Sequence, residues 1–276
     1  MDYVYSRSYR GGLKAVVFDW AGTMIDFGSF APVAAFLEVF RRFGFPITPA
    51  QAREPMGSHK KEHIRAIARM DAVVEVARQA LGKPLDEADI EALYRDFLPL
   101  QIESIQMYSR LIPGAIELAA EIRRRELRIG STTGYTREMM DTLLPSAEAQ
   151  GYSPDATATA SDVPAGRPAP WMLFRVAIEL GVYPMAAVVK IGDTPLDVEE
   201  GLSAGTWTIA LARCGNEVGL TEAELALLPD SAQRERIERA RKRLAQAGAH
   251  YVVDDPLDCL AVLDEIEARV RRGERP

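Results

Sequence analysis

The sequence predicts an α/β fold: a Rossmann-like, doubly wound parallel sheet with an α-helical cap domain inserted into it. Three observations carry that expectation. Short apolar runs of strand length alternate with helical patterns through most of the chain. The stretch between the first such run and the rest reads as almost entirely helical. Asp-, Thr- and Gly-rich segments follow several of the runs, where open α/β sheets bind ligands at the carboxyl edge.

Lys14-Ala-Val-Val-Phe18 is the first run, a buried parallel strand that ends at Asp19. Later strands are expected over Arg128 to Ser131, Ala187 to Ile191, Thr206 to Leu211 and His250 to Val253. Helical patterns separate them, over Ala115 to Arg125, Thr136 to Gln150, Pro170 to Gly181 and Pro195 to Ala204. In the helical stretch, Thr48 followed by Pro49 marks a helix start. Asp86 opens a long amphipathic helix whose apolar positions include Ile90, Leu93, Tyr94, Phe97, Ile102 and Ile105. Phe30, Phe36, Phe40 and Phe43 form an aromatic set suited to core packing, or in part to a subunit interface. The expected division is a core of residues 1–26 and 106–276 with a cap of 27–105.

The 276 residues carry 40 acidic against 33 Lys and Arg, a net charge of −7. An acidic chain is a poor partner for nucleic acid, which calls for a basic face. The runs Arg123-Arg124-Arg125 and Arg234 to Arg243 are interrupted at helical spacing and read as solvated helix faces. Cys214 and Cys259 make no disulfide framework, and no signal peptide or membrane span is evident. The expectation is a cytoplasmic enzyme, with the first ten residues a loose extension.

Four segments carry the chemistry: Asp19-Trp-Ala-Gly-Thr23, Ser131-Thr-Thr-Gly-Tyr135, Gly166-Arg-Pro-Ala-Pro170 and Gly192-Asp-Thr-Pro-Leu-Asp197. A strand-tip carboxylate can attack phosphorus and hold the group covalently. A hydroxyl and backbone N–H groups at a helix start can cradle phosphate oxygens. A fixed cation neutralises their charge, and further carboxylates hold Mg²⁺. Taken alone, each segment has an ordinary reading; a strand-end Asp is commonly a helix N-cap.

The four together, in this order, resemble the haloacid dehalogenase superfamily. The resemblance implies Asp19 as nucleophile, with Thr133, Gly134 and Tyr135 around the phosphate and Arg167 in place of the usual lysine. It implies Mg²⁺ held by Asp19, the carbonyl of Ala21, Asp193 and Asp197. One position departs: most phosphatases of the superfamily carry an acid where this chain has Ala21.

Three explanations of Ala21 compete, an inactive enzyme, a dehalogenase-like branch, or a leaving group that needs no protonation, and the intact metal and phosphate motifs count against the first two. Pro55-Met-Gly-Ser-His-Lys60-Lys-Glu-His63 puts Lys60 and His63 three apart on one helix face. A lysine amine condenses with an aldehyde, and the protonated imine draws electrons from the adjacent carbon. A C–P bond can then break to leave a neutral enamine. Long strings extend the resemblance, from about Leu13 through Leu263, to a C–P-cleaving branch of the superfamily; Ser29, Ser58 and His59 depart from its pattern. That branch implies hydrolysis of phosphonoacetaldehyde in phosphonate (2-aminoethylphosphonate) catabolism. Lys60 would be the imine lysine, Met56 its neighbour and His63 a proton shuttle, in a homodimer packed through the caps. Lys61 is the competing imine lysine. Rival readings are a phosphate-monoester phosphatase, a phosphonate sensor without catalysis, and a zinc site on His59-Lys-Lys-Glu-His63.

Overall fold

A computed structural model describes residues 8–276; the part of the expected extension in residues 1–7 lies outside the described residues. The chain order is β1 (Ala15–Phe18), α1 (Phe30–Arg42), α2 (Pro49–Arg53), α3 (Lys60–Ala68), α4 (Asp71–Leu81), α5 (Glu87–Tyr108) and α6 (Ala115–Arg124). Then come β2 (Arg128–Thr133), α7 (Arg137–Ala149), β3 (Ala156–Thr159), α8 (Trp171–Leu180), β4 (Val188–Gly192), α9 (Pro195–Ala204) and β5 (Trp207–Leu211). The chain closes with α10 (Glu222–Leu227), α11 (Asp230–Gln246), β6 (Tyr251–Val253) and α12 (Cys259–Arg271).

The six strands form one parallel sheet in the order β3-β2-β1-β4-β5-β6. Strand order turns at β1, which pairs with β2 on one side and β4 on the other. That switch point opens a crevice at the carboxyl ends of the strands. Every residue of β1, β4 and β5 is buried, which is why they read as continuous apolar runs rather than alternating ones. The five expected strands are present within a few residues of their predicted ends. A sixth, β3, has the sequence Ala-Thr-Ala-Thr, too small and too polar to register as an apolar run.

Helices α1 to α5 lie between β1 and β2. α1 packs chiefly on α5, burying Phe36 and Phe40 against Leu93 and Phe97. The Phe36 ring stacks at 4.5 Å on Phe97 and at 3.9 Å on His63. Phe36 and Phe40 are therefore core residues, each worth about 2 kcal/mol of transfer free energy. Phe30 and Phe43 are half-buried. α5 runs to Tyr108, past the expected boundary at 105.

Local chemistry fixes the helix starts near the site. Thr48 and Gln51 close a capping box at α2 with Pro49 at its first position, and Thr194 and Asp197 do the same at α9 ahead of Pro195. α1 has no cap from its own N-cap residue, Ser29; the Asp26 carboxylate instead accepts from Phe30 N–H at 2.9 Å and Ala31 N–H at 2.8 Å. The expected solvated arginine faces are present: Arg124 and Arg125 pair with Glu121 along α6. No described helix is long and apolar enough to cross a membrane.

Candidate active site

The ends of β1, β2 and β4 meet beneath the helical segment. Asp19 directly follows β1, Thr133 ends β2, and Asp193 follows β4. A cavity of about 20 Å³ sits over them, lined by Asp19, Ala21, Ser29, Met56, Lys60 and Arg167, among others, with Thr133, Gly134 and Tyr135 on the sheet side. Ten of the expected site residues thus surround or adjoin one point: all but His63, Asp193 and Asp197 line the cavity itself. Ser29, a departure from the expected pattern, also lines it and is buried.

Arg167 is the hub. Its Nη2 is 2.8 Å from Asp19 Oδ1 and its Nη1 is 2.9 Å from Asp197 Oδ1. Nε donates to Glu200 Oε2 at 2.9 Å, and Nη2 also donates to the Thr132 carbonyl and hydroxyl. Lys190, on the fully buried β4, lies 3.0 Å from Asp197 Oδ1 and donates to Thr132 Oγ1 at 2.9 Å. The sequence motifs pointed to neither Lys190 nor Glu200. A lysine within the apolar run Val188-Val-Lys-Ile was the available signal, since a buried lysine needs a partner.

The acidic side is less balanced. Asp19, Asp193 and Asp197 can each offer an oxygen within 4.8 Å of the others. Among the described residues, Asp193 accepts only from Asn216 N–H at 2.7 Å and Thr23 Oγ1 at 3.2 Å, and it makes no ion pair. Burial and the neighbouring Asp19 and Asp197 charges push its pKa well above the carboxylate range. Burial, then Asp197, raises Asp19 to about 6, against the opposing pull of Arg167 and Lys190. Three crowded oxygen donors short of positive charge fit a hard divalent cation. Asp197 is the most engaged of the three: Oδ2 accepts from Thr194 Oγ1 at 2.6 Å, while Oδ1 faces Arg167 and Lys190 without an aligned hydrogen bond from either. Gly22 at φ +81° leaves room for Asp193, whose Oδ2 would lie 2.1 Å from a Cβ placed there.

Lys60 opens α3 and is buried, with its Nζ 5.1 Å from the Tyr135 ring centroid and 5.8 Å from that of Phe36. Among the described residues it has no hydrogen-bonding partner. Burial lowers its pKa to about 8, with Asp19 resisting and Arg167 assisting the shift. Lys61 is partly exposed and pairs with Glu91, away from the cavity. His63 lies deeper on the same face, its Nε2 2.8 Å from the Ala52 carbonyl. That bond makes Nε2 the donor and leaves Nδ1 buried without a partner among the described residues. His59 caps α3 through Nδ1, and among the described residues the cluster of three metal-ligating groups is Asp19, Asp193 and Asp197, with neither His59 nor His63 in it. His250 holds the β5–β6 end through Thr208.

The helical segment is seated directly on the sheet loops. A Cβ on Gly57 would lie 2.6 Å from Thr194 Oγ1, and one on Gly134 would lie 2.5 Å from the Ser58 carbonyl. Both glycines exist for that close approach. Over residues 13–205 the chain matches the family model for haloacid dehalogenase-like hydrolase.

The chain belongs to the haloacid dehalogenase-like hydrolase family.

Within it, the chain is similar to a phosphonoacetaldehyde hydrolase from Nitratidesulfovibrio vulgaris, 46% identical over 99% of this chain and 98% of that protein. It is equally similar to a phosphonoacetaldehyde hydrolase-like protein from Syntrophobacter fumaroxidans, 46% identical over 99% of both chains. The crystal structure of a phosphonoacetaldehyde hydrolase-like protein from Oleispira antarctica superposes with a TM-score of 0.97 at 40% identity, over the whole of both chains.

Proposed function

We infer that this enzyme hydrolyses the C–P bond of phosphonoacetaldehyde to acetaldehyde and phosphate, through an imine on Lys60 and an aspartyl-phosphate on Asp19. The observation that carries this reading is the pairing of Lys60 with Ala21. A buried amine with a pKa of about 8 faces the nucleophile across a cavity that offers no acid at position 21. Residues 27–105 act as a cap over the core of 1–26 and 106–276, and supply Lys60 and Met56 from above.

Lys60, in its neutral form, adds to the aldehyde and loses water to give an imine, which then takes up a proton. The Asp19 carboxylate attacks phosphorus in line with the C–P bond. The bonding pair moves toward the iminium nitrogen, leaving a neutral enamine and no oxyanion to protonate. That is why position 21 can be Ala. Water then cleaves the acyl phosphate; the enamine is protonated at carbon, and hydrolysis of the imine frees acetaldehyde and Lys60. Thr133, Gly134 and Tyr135 hold the phosphonate oxygens, and Arg167 offsets their charge. Met56 lies beside the imine, and His63 Nδ1 carries protons for imine formation and hydrolysis. Asp19, Asp193, Asp197 and the Ala21 carbonyl would hold Mg²⁺, which when bound supplies further neutralisation of the transferring group. The enzyme would work in cytoplasmic phosphonate catabolism after an amine group of 2-aminoethylphosphonate is removed, as a homodimer.

Phosphate release from phosphonoacetaldehyde tests the reading, with wild type and Lys60→Arg assayed beside a generic aryl phosphate. Loss of phosphonate turnover in the variant supports it. Aryl phosphate turnover that survives Lys60→Arg, with no phosphonate cleavage by wild type, makes the chain a phosphate-monoester phosphatase instead.

A further inference from the structure

The cavity of about 20 Å³ has room for about one water, and a two-carbon phosphonate is far larger. Substrate entry therefore requires the helical segment to lift off the sheet loops, and something must bring it back. Arg53, the last residue of α2, is placed to do so. Its Nη1 donates to the Gly28 carbonyl at 2.6 Å and the Ser29 carbonyl at 3.3 Å, at the turn leading into α1. The same nitrogen donates across to Asn216 Oδ1 at 3.1 Å, and Nη2 to the Gly219 carbonyl at 3.4 Å. Asn216 returns the contact, its Nδ2 donating to the Arg53 carbonyl at 3.3 Å.

Asn216 connects that contact to the chemistry. Its backbone N–H donates to Asp193 Oδ2 at 2.7 Å, one of the two hydrogen bonds that carboxylate receives among the described residues. The loop carrying it is tightly fitted: a Cβ on Gly215 would lie 2.6 Å from Asp193 Cβ, and one on Gly219 would lie 2.8 Å from Arg53 Nε. Cys214, at its start, accepts from Gly28 N–H at 2.8 Å. The loop is thus gripped on one side by the segment and on the other by Asp193.

We propose that Arg53 is a positioning residue that latches the closed segment and, through Asn216, sets Asp193 in its working position only when the segment is down. The proposal rests on the reading of the segment as a closing cap. A planar guanidinium suits the role, because it reaches four carbonyl-type acceptors at once, two on each side of the gap. The neighbouring pair of Glu54 and Arg243 at 3.2 Å also crosses the gap, but it is exposed and its loss is of little consequence.

The test compares Arg53→Ala, Arg53→Lys, Asn216→Ala and, as control, Glu54→Ala, each as the full chain. Amide hydrogen exchange across residues 57–63 and 214–219 reads closure without any turnover. Arg53→Ala and Asn216→Ala are expected to exchange at least about tenfold faster in both segments, with Arg53→Lys in between and Glu54→Ala like wild type. Half-protection against heat by Mg²⁺ should need a higher Mg²⁺ concentration in the first two. With phosphonoacetaldehyde, KM should rise about tenfold in Arg53→Ala, with a smaller change in kcat. Unchanged exchange in both segments for Arg53→Ala and Asn216→Ala overturns the proposal, as does an equal effect from Glu54→Ala. If wild type does not cleave phosphonoacetaldehyde, the exchange and Mg²⁺ arms still decide the latch, while the substrate assignment fails separately.

Discussion

Lys60 carries the account at the scale of single residues. Burial lowers its pKa from 10.5 to about 8, so the neutral amine that the proposed imine requires is about a tenth of the total at pH 7. The rate of imine formation should therefore climb between pH 6 and 8 and level off above, as read from a pH profile of borohydride-trapped adduct. The sign for stability runs the same way. The unfolded lysine binds its proton up to pH 10.5 and the folded one only to about 8, so this group's contribution rises with pH across that window. Glu200 is the second residue to test. It holds Arg167 Nε at 2.9 Å and faces Lys190 at 3.4 Å, and it is wholly buried. Glu200→Gln keeps the shape but leaves two buried cations short of a countercharge, and should cost about 3 kcal/mol in denaturant unfolding. Inhibition by inorganic phosphate should change with it, because Arg167 is no longer held toward Asp19. Much of this site was legible before the fold was known. Asp19, Arg167, Asp193 and Thr133 stand in motif strings, and Ala21 announces itself as a missing acid. Glu200 and Lys190 were not, because an acid in a helix and a lysine in a strand have no local pattern; only the sheet brings them within reach of Arg167.

The elements that were easiest to foresee are those with one local cause. The apolar runs of β1, β4 and β5 announce buried strands, and Thr48-Pro49 and Asp86 announce helix starts that the capping boxes bear out. β3 escaped because Ala and Thr give neither a long apolar run nor clear alternation; its identity as a strand comes from pairing with β2. The start of α1 escaped for a related reason. Its cap is Asp26, four residues ahead of Phe30 and at φ +58°, rather than the residue next to the helix. Asp26→Ala removes acceptors for two amides that have no other partner in the helix. It should lower stability by about 1–2 kcal/mol, seen as a drop of several degrees in the midpoint of a thermal melt.

At the scale of the whole molecule, the proposed mechanism draws its phosphorus chemistry from the sheet and its amine from the helical segment, so on that proposal neither half acts alone. Their arrangement also exposes apolar side chains on the segment, Val76 and Leu81. That exposure supports the proposed homodimer through the caps, and sedimentation should give twice the 30.4 kDa chain mass. Removal of divalent metal should leave Asp193 without a countercharge, lower the melting midpoint at neutral pH and restore it on adding Mg²⁺. The most direct measurement of the central claim is borohydride reduction in the presence of phosphonoacetaldehyde, followed by peptide mass mapping. The account predicts a reduced, borohydride-stable adduct on the peptide at Lys60, absent from Lys60→Arg, with phosphate release lost in parallel. Full phosphate release with no adduct at Lys60, or an adduct at Lys61 instead, would contradict it.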